Sequence, residues 1–354
     1  MTQDKQAQRE LLRTTVVGSY PQPDWLINKD ILRSQLVPRV RQESLWRVEQ
    51  ELRAEAIRDA TLIAIRDMES AGIDVVTDGE TARESYSNHF LSALEGVDDV
   101  RPATIVSRTG HTTRVPRVIG AIRHRQAAEE GAARFLREQT QHRAKVTLPG
   151  PFTLAQQAKD EHYHDLEAMA FDFAVALNSE ARLLQETGID VIQLDEPWLR
   201  NDPDGARRFA IRVLNRAFEG LRVRTAVHTC FGYAFLRPGQ KSRGYEFLTE
   251  LGDCVAEEIS IEAAQPRLDP GVLRELSGKS IALGVLDHST PEPELPDIVA
   301  ARIRAALPYL PPQRLLPAPD CGMKYMTRAV AFTRLKHLAA AAALVRSELG
   351  VREN

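Results

Sequence analysis

The sequence predicts a single (β/α)8 barrel, a TIM-type α/β fold, and three observations carry that reading. Eight short apolar, β-branched runs recur along the 354 residues. Long segments with helical spacing separate most of them, and no low-complexity linker interrupts the alternation. Polar residues gather at the carboxyl ends of the runs. Strands alternating with helices in one chain build a parallel sheet wrapped by helices, and a barrel of this kind places its chemistry where the strands end.

The first run, TTVVGS (Thr14 to Ser19), follows a polar start and precedes a proline-rich stretch; residues 1 to about 45 are expected to wrap the barrel mouth within one domain of residues 1–354. A helical pattern from Val48 to Gly72 leads into the second run, GIDVVTDGE (Gly72 to Glu80). The stretch from Asp98 to Ile122 alternates on both sides of a turn-like RTGHT and reads as a hairpin inserted after strand two. AKVTLPG (Ala144 to Gly150) is the third run. The helical stretch from Ala168 to Gly188 then feeds GIDVIQLDE (Gly188 to Glu196). RTAVHTC (Arg224 to Cys230), EEISIE (Glu257 to Glu262), SIALGVLD (Ser280 to Asp287) and RLLPAPDCG (Arg314 to Gly322) complete the eight. GARRFAIRVLNRAFEG and AARIRAAL have the spacing of outer helices.

Composition narrows the function classes. Hydrophobic residues are 43% and charged residues 27%, which suits a globular enzyme, and a net charge of −3 supplies no basic field for nucleic acid. No apolar run approaches the roughly 20 residues of a membrane span, and the N-terminus lacks a signal-peptide core, so a cytoplasmic protein without membrane or nucleic-acid partners is expected. Three scattered cysteines, Cys230, Cys254 and Cys321, suit free thiols in a reducing compartment better than a disulfide scaffold.

The residues at the strand ends are Ser19, Asp78, Glu80, Asp195, Glu196, His228, Cys230, Glu262, Asp287, His288, Asp320 and Cys321. Two of them, His228 and Cys230, stand two residues apart on an extended chain and so point to the same side. An H-x-C pair alone is a weak motif, because a buried structural pair looks the same. The barrel brings Glu262 and Cys321 to the same rim. One imidazole, two thiolates and a carboxylate form a tetrahedral donor set suited to Zn²⁺.

With these motifs in place, the chain resembles the cobalamin-independent methionine synthases, specifically their catalytic C-terminal barrel. The resemblance runs through VVGSYPQ, DVVTDGE, LPGPFTL, VIQLDEPWLR, HTC, ISIE and PDCGMK with order and spacing kept. It implies zinc bound by His228, Cys230, Glu262 and Cys321, and a homocysteine head group held by Ser19, Glu80 and Asp195. It also implies a proton relay in the loop after strand seven, for which His288 is the candidate, although GVLDHS is one residue shorter than the family pattern. The implied reaction is methyl transfer to homocysteine, giving methionine. Zinc serves there as an activator of a thiol whose free pKa is about 8.5.

Departures from the pattern bear on the alkyl donor. Folate-using members place a tryptophan after GPxT to stack on the pterin, whereas this chain has Gln157; an acidic residue past DEPxLR is replaced by Asn201. The N-terminal barrel that helps grip the folate tail is absent from these residues. A methylfolate or a methylcorrinoid supplied by a partner therefore remains open as donor. A second reading is an enzyme similar to the epoxyalkane:coenzyme M transferases, in which the activated thiol opens an epoxide. A third is a non-catalytic barrel stapled by zinc, for which a mixed donor set at a barrel mouth is poorly suited. Glu80 and Asp195 favour homocysteine, since an ammonium needs anionic partners and a sulfonate does not. As structural alternatives, those carboxylates pair with Arg83 or Arg200. Trp198 packs under a loop, Cys254 is a bystander thiol, and His89, His111 and His164 are solvated or hydrogen-bonded.

Overall fold

The computed structural model describes residues 11–35, 40–85, 87–106, 112–231 and 244–350. Its strands are β1 (Val75–Val76), β2 (Leu94–Val106), β3 (Thr112–His124), β4 (Arg143–Pro149), β5 (Lys159–Asp160), β6 (Val191–Asp195), β7 (Arg224–Thr229), β8 (Glu258–Ile261), β9 (Ser280–Leu286) and β10 (Leu315–Pro319). Seven of these form one parallel sheet in the order β1-β4-β6-β7-β8-β9-β10, so each strand lies beside the next one in sequence once the insertion is set aside. Helices at Gln50–Ser70, Leu166–Gln185, Pro203–Phe218, Pro296–Ala306 and Arg328–Glu348 intervene or follow.

Period two decides which way each strand residue faces. Val146 and Leu148 of β4, Ile192 and Leu194 of β6, Val227 of β7, and Ile259 and Ile261 of β8 join one apolar core with helix residues such as Phe173, Leu177, Leu184, Val213 and Leu214. In the helix Leu166–Gln185 the buried positions Met169, Phe173, Leu177 and Leu184 recur at helical spacing, and Asp165 caps its start by accepting from the amides of Glu167 and Ala168. The alternate strand residues Lys145, Thr147, Gln193, Asp195, His228, Glu258 and Ser260 are equally buried, yet polar. The strands are thus two-faced, apolar towards the helices and polar on the other side.

The expected first strand is instead a single bridge. Thr15 pairs with Val75 of β1, the amide of Val75 donates to Thr14 O at 3.0 Å, and Thr15 N donates to Pro317 O of β10 at 3.1 Å. Both edge strands of the sheet therefore hydrogen-bond to one short segment, and the sheet is curled. Seven strands and a bridge replace the eight strands expected, for a physical reason. β10 reads Leu-Leu-Pro-Ala-Pro, and Pro317 and Pro319 have no amide hydrogen to donate into a longer ladder.

The inserted hairpin is longer than Asp98 to Ile122. β2 and β3 pair antiparallel from Leu94↔His124 to Val106↔Thr112, with β5 added beside β3. Most of its RTGHT turn lies outside the described residues. The register shifts past Gly96, whose φ of 80° and closeness to the Ala121 carbonyl, 2.4 Å from where a Cβ would stand, admit glycine alone. The hairpin base is anchored by the buried Glu180, which accepts from the amides of Ala128 and Glu129 and pairs with His124 Nε2 at 2.7 Å.

Between the first bridge and the helix Gln50–Ser70, Ile27, Leu32 and Leu45 pack with Tyr325. Leu26 and Trp46 pack with Ala60. Among the described residues no helix is long and apolar enough to cross a membrane.

Candidate metal and thiol site

β7 ends in Thr229, and its last inward residue, His228, lies beside Asp195 of β6 and Ser260 of β8 in the parallel register. Cys230 follows at the strand's end, and Cys321 stands just past β10. Ligand atoms of His228, Cys230 and Cys321 lie within 4.8 Å of one another, and all three residues are buried. His228 Nδ1 is 2.9 Å from Ser260 Oγ, whereas its Nε2 is buried with no hydrogen-bond partner among the described residues. Burial, helped by the Lys145 ammonium, pushes the imidazole down to about 3, so it is neutral at physiological pH. A neutral imidazole with one nitrogen held and the other facing two thiols is the form in which histidine ligates a metal. The residues present fit Zn²⁺.

Glu262, the fourth expected ligand, is not in this group of three. Glu262 Oε1 accepts from the amide of Phe231 at 2.9 Å, and the Glu262 amide donates to the hydroxyl of the half-buried Tyr245 at 2.9 Å. Three of the four sequence-derived ligands are thus brought together, with Glu262 on the adjoining strand end tied to the residue after Cys230. The turn after Glu262 is fixed by Asp320, whose carboxylate accepts from the amides of Ala263, Ala264 and Gln265.

A second group of polar residues is built from three other segments. Tyr20 N donates to Gly79 O at 3.0 Å and Met323 N to Ser19 O at 2.9 Å, which laces the Ser19 turn to the loop after β1 and to the segment after Cys321. Lys324, also buried, donates to Gln22 Oε1 and Arg83 O. Glu80 sits in the left-handed region at φ 54° directly after Gly79 at φ 69°. A non-glycine residue there is strained, and the strain aims its side chain. Its Oε1 accepts from Thr147 Oγ1 at 3.1 Å and lies 2.4 Å from where a Cβ on Gly18 would stand, so only glycine admits this approach. Asp195, at the end of β6, accepts from Gln193 Nε2 at 2.7 Å. Burial and the neighbouring Glu80 push the Asp195 carboxyl up to about 8, and burial also raises Glu80. A cation bound beside these two buried carboxyls would favour their charged forms.

The other rim residues have partners of their own. Glu196 accepts from the amides of Phe152 and Thr153 and from Thr153 Oγ1, capping the helix Pro151–Gln156 from the next strand. Asp287 accepts from Ser289 N. Asp78 accepts from Glu80 N and lies 3.6 Å from Arg83. Arg83 pairs with Glu129 and donates to Thr147 O, while Arg200 lies over the Phe231 ring. His288 Nε2 is 3.0 Å from Cys321 O, and its Nδ1 is 3.3 Å from Arg334 Nη1, so both ring nitrogens are engaged. Gln157 is buried at the end of the helix Pro151–Gln156. Cys254 is buried outside the metal group, Trp198 packs partly buried against the core, and His89 pairs with Glu129. His111 lies outside the described residues.

Sequence reasoning passed over Ser260, Gln193, Lys145 and Tyr245. The first three carry a readable signal: Lys145 and Thr147, Gln193 and Asp195, and Ser260 and Glu262 are polar pairs at period two within otherwise apolar strands. Tyr245 has no such pattern.

Comparison with known proteins adds an independent line. Residues 12–344 match the family described as cobalamin-independent synthase, catalytic domain. A methionine synthase of Thermococcus kodakarensis is 31% identical over 341 residues, covering 96% of this chain and 95% of that protein. One from Sulfolobus acidocaldarius is 31% identical over 342 residues, covering 96% and 94%. The solved structure of a B12-independent methionine synthase from Shewanella sp. W3-18-1, in complex with selenomethionine, is 32% identical, with a TM-score of 0.87 over 97% of this chain and all of that one. A methyltransferase from Methanosarcina mazei, 16% identical at a TM-score of 0.63, shares the fold.

Proposed function

The chain belongs to the cobalamin-independent methionine synthase family, and from that premise we propose that it transfers a methyl group to the sulfur of homocysteine, forming methionine. The observation that carries the site assignment is the pairing of two receptors of matched chemistry. The convergent His228, Cys230 and Cys321 suit a thiol-activating metal, and the buried, electrostatically coupled carboxyls of Glu80 and Asp195 suit an ammonium.

His228, Cys230 and Cys321 are proposed to hold Zn²⁺, with Glu262 as the further ligand. Bound Zn²⁺ keeps a coordinated thiol deprotonated at neutral pH. Ser260 orients the His228 ring so that Nε2 faces the two thiols. Glu80 and Asp195 take the substrate ammonium, and Ser19, pinned through its carbonyl by Met323, borders the same head group. The substrate sulfur then attacks the methyl carbon; the sulfur–carbon bond forms as the donor's bond to that carbon breaks. Proton relay by His288 requires one ring nitrogen to leave its present partner, Cys321 O or Arg334. Under this reading the curled sheet and its bridging Thr14–Thr15 segment work as a complete barrel, and the protein acts in the reducing cytoplasm. A selenomethionine complex of the Shewanella relative supports a methionine-shaped product. Paired carboxylates repel a sulfonate, which argues against coenzyme M as the thiol.

For the donor, the reading is a methylcorrinoid or another activated methyl group rather than monoglutamyl methylfolate. Gln157 replaces a stacking aromatic, a contact of about 1–3 kcal/mol if base stacking is a guide. The test is single-turnover methionine formation by zinc-loaded protein, with homocysteine and equal concentrations of methylcobalamin or methylfolate. Methionine from methylcobalamin, lost together with bound zinc in Cys230→Ser and Cys321→Ser, is the expected result. Full zinc content in both variants refutes the site, and efficient turnover with methylfolate alone refutes the donor.

A further inference from the structure

Below the head-group carboxyls, the inner face of the strands carries a polar chain that none of the steps above employs. Lys145 of β4 and Gln193 of β6 are both buried, at 1% and 0% exposure. The Lys145 ammonium donates to Gln193 Oε1 at 2.9 Å and to the carbonyl of Val16. Gln193 Nε2 then donates one hydrogen to Asp195 Oδ1 at 2.7 Å and the other to Val17 O at 3.0 Å.

That arrangement leaves the Gln193 amide a single orientation. Turned over, its oxygen would face the Asp195 carboxylate and the Val17 carbonyl, while its NH₂ would face an ammonium; every contact would become repulsive. Lys145 therefore decides, through Gln193, which carboxylate oxygen of Asp195 is occupied from below and which is left for the site. The same two side chains grip Val16 and Val17, the residues just before Gly18 and Ser19. Two elements of the head-group receptor thus rest on one buried ammonium.

We infer that Lys145 and Gln193 are positioning residues for recognition of the substrate amino group, acting through Asp195 and the Val16–Ser19 segment. The inference rests on the assignment of Asp195 to the homocysteine ammonium. A core network that only stabilises the fold would affect every ligand of the site alike. A positioning chain affects the ligand that carries the amino group.

The experiment compares homocysteine with 4-mercaptobutyrate, which keeps the thiol and the carboxylate and lacks the amine. Binding to zinc-loaded parent, Gln193→Met and Lys145→Met is followed by calorimetry, alongside zinc content, circular dichroism and the kinetic constants for homocysteine. In both variants homocysteine is expected to bind roughly 10- to 100-fold more weakly, as for a lost hydrogen bond to a charged group, with KM rising more than kcat falls. Binding of 4-mercaptobutyrate and zinc content stay close to the parent's. Equal weakening of both thiols, or a parent-like preference for homocysteine in a folded Gln193→Met, overturns the inference. A parent that does not distinguish the two thiols overturns the homocysteine assignment itself. If Lys145→Met fails to fold, Gln193→Met decides, since its side chain conserves length and volume without the amide.

Discussion

Replacing Ser260 with alanine removes the side-chain partner of His228 Nδ1 without touching a ligand atom. The hydrogen bond spans 2.9 Å, both residues are 2% exposed, and water has no easy route to take the hydroxyl's place. A buried donor left unsatisfied costs about 1–3 kcal/mol. At about 1.4 kcal/mol per factor of ten, zinc affinity should fall roughly 5- to 150-fold, in line with the losses of about 10- to 100-fold that follow removal of a hydrogen-bond partner of a metal-ligating histidine. Ser260→Thr keeps a hydroxyl and should restore most of that affinity. The measurement is competition for zinc against a chromophoric chelator at neutral pH, with melting curves of the metal-free proteins run in parallel. A folded Ser260→Ala that holds zinc as tightly as the parent, or a threonine variant as weak as the alanine one, would refute an orienting role for the Ser260 hydroxyl.

Two further perturbations test other parts of the site. Asp195→Asn should stabilise the substrate-free protein more at pH 8 than at pH 5. With the folded carboxyl raised from 3.8 to about 8, the unfolded chain releases this proton first, so the parent loses stability as pH rises through that window, by at most on the order of 5 kcal/mol, while asparagine has no proton to lose. Thermal melts at the two pH values decide it, and an equal shift at both refutes the raised carboxyl. Gly150→Ala would set a Cβ 2.1 Å from Glu196 Cδ and push that carboxylate off the Phe152 and Thr153 amides. Chemical denaturation should show a loss of about 1–3 kcal/mol with zinc content retained; an unchanged midpoint would mean that the cap is dispensable.

The order of secondary structure, the inserted hairpin and the histidine-cysteine pair were all legible along the chain. Apolar runs of strand length alternating with amphipathic segments are local patterns, and the H-x-C spacing alone places both side chains on one face. The polar inner face was legible too, in pairs such as Gln193 and Asp195, but only once period two is followed through the apolar residues between them. The sequence could not show that the first run would shrink to a bridge, because that depends on the amide-less Pro317 and Pro319 arriving beside it from some 300 residues away. Nor could it separate Glu196 and Asp320, which cap neighbouring backbone, from Asp195, whose carboxyl is raised by burial and by the nearby Glu80. All four are acids at strand ends, and their difference lies in which amides the fold brings within reach. Sequence determines which groups stand at the rim because strand periodicity is local; tertiary structure alone decides their partners, because a carboxyl's charge, orientation and free valence are set by neighbours distant along the chain.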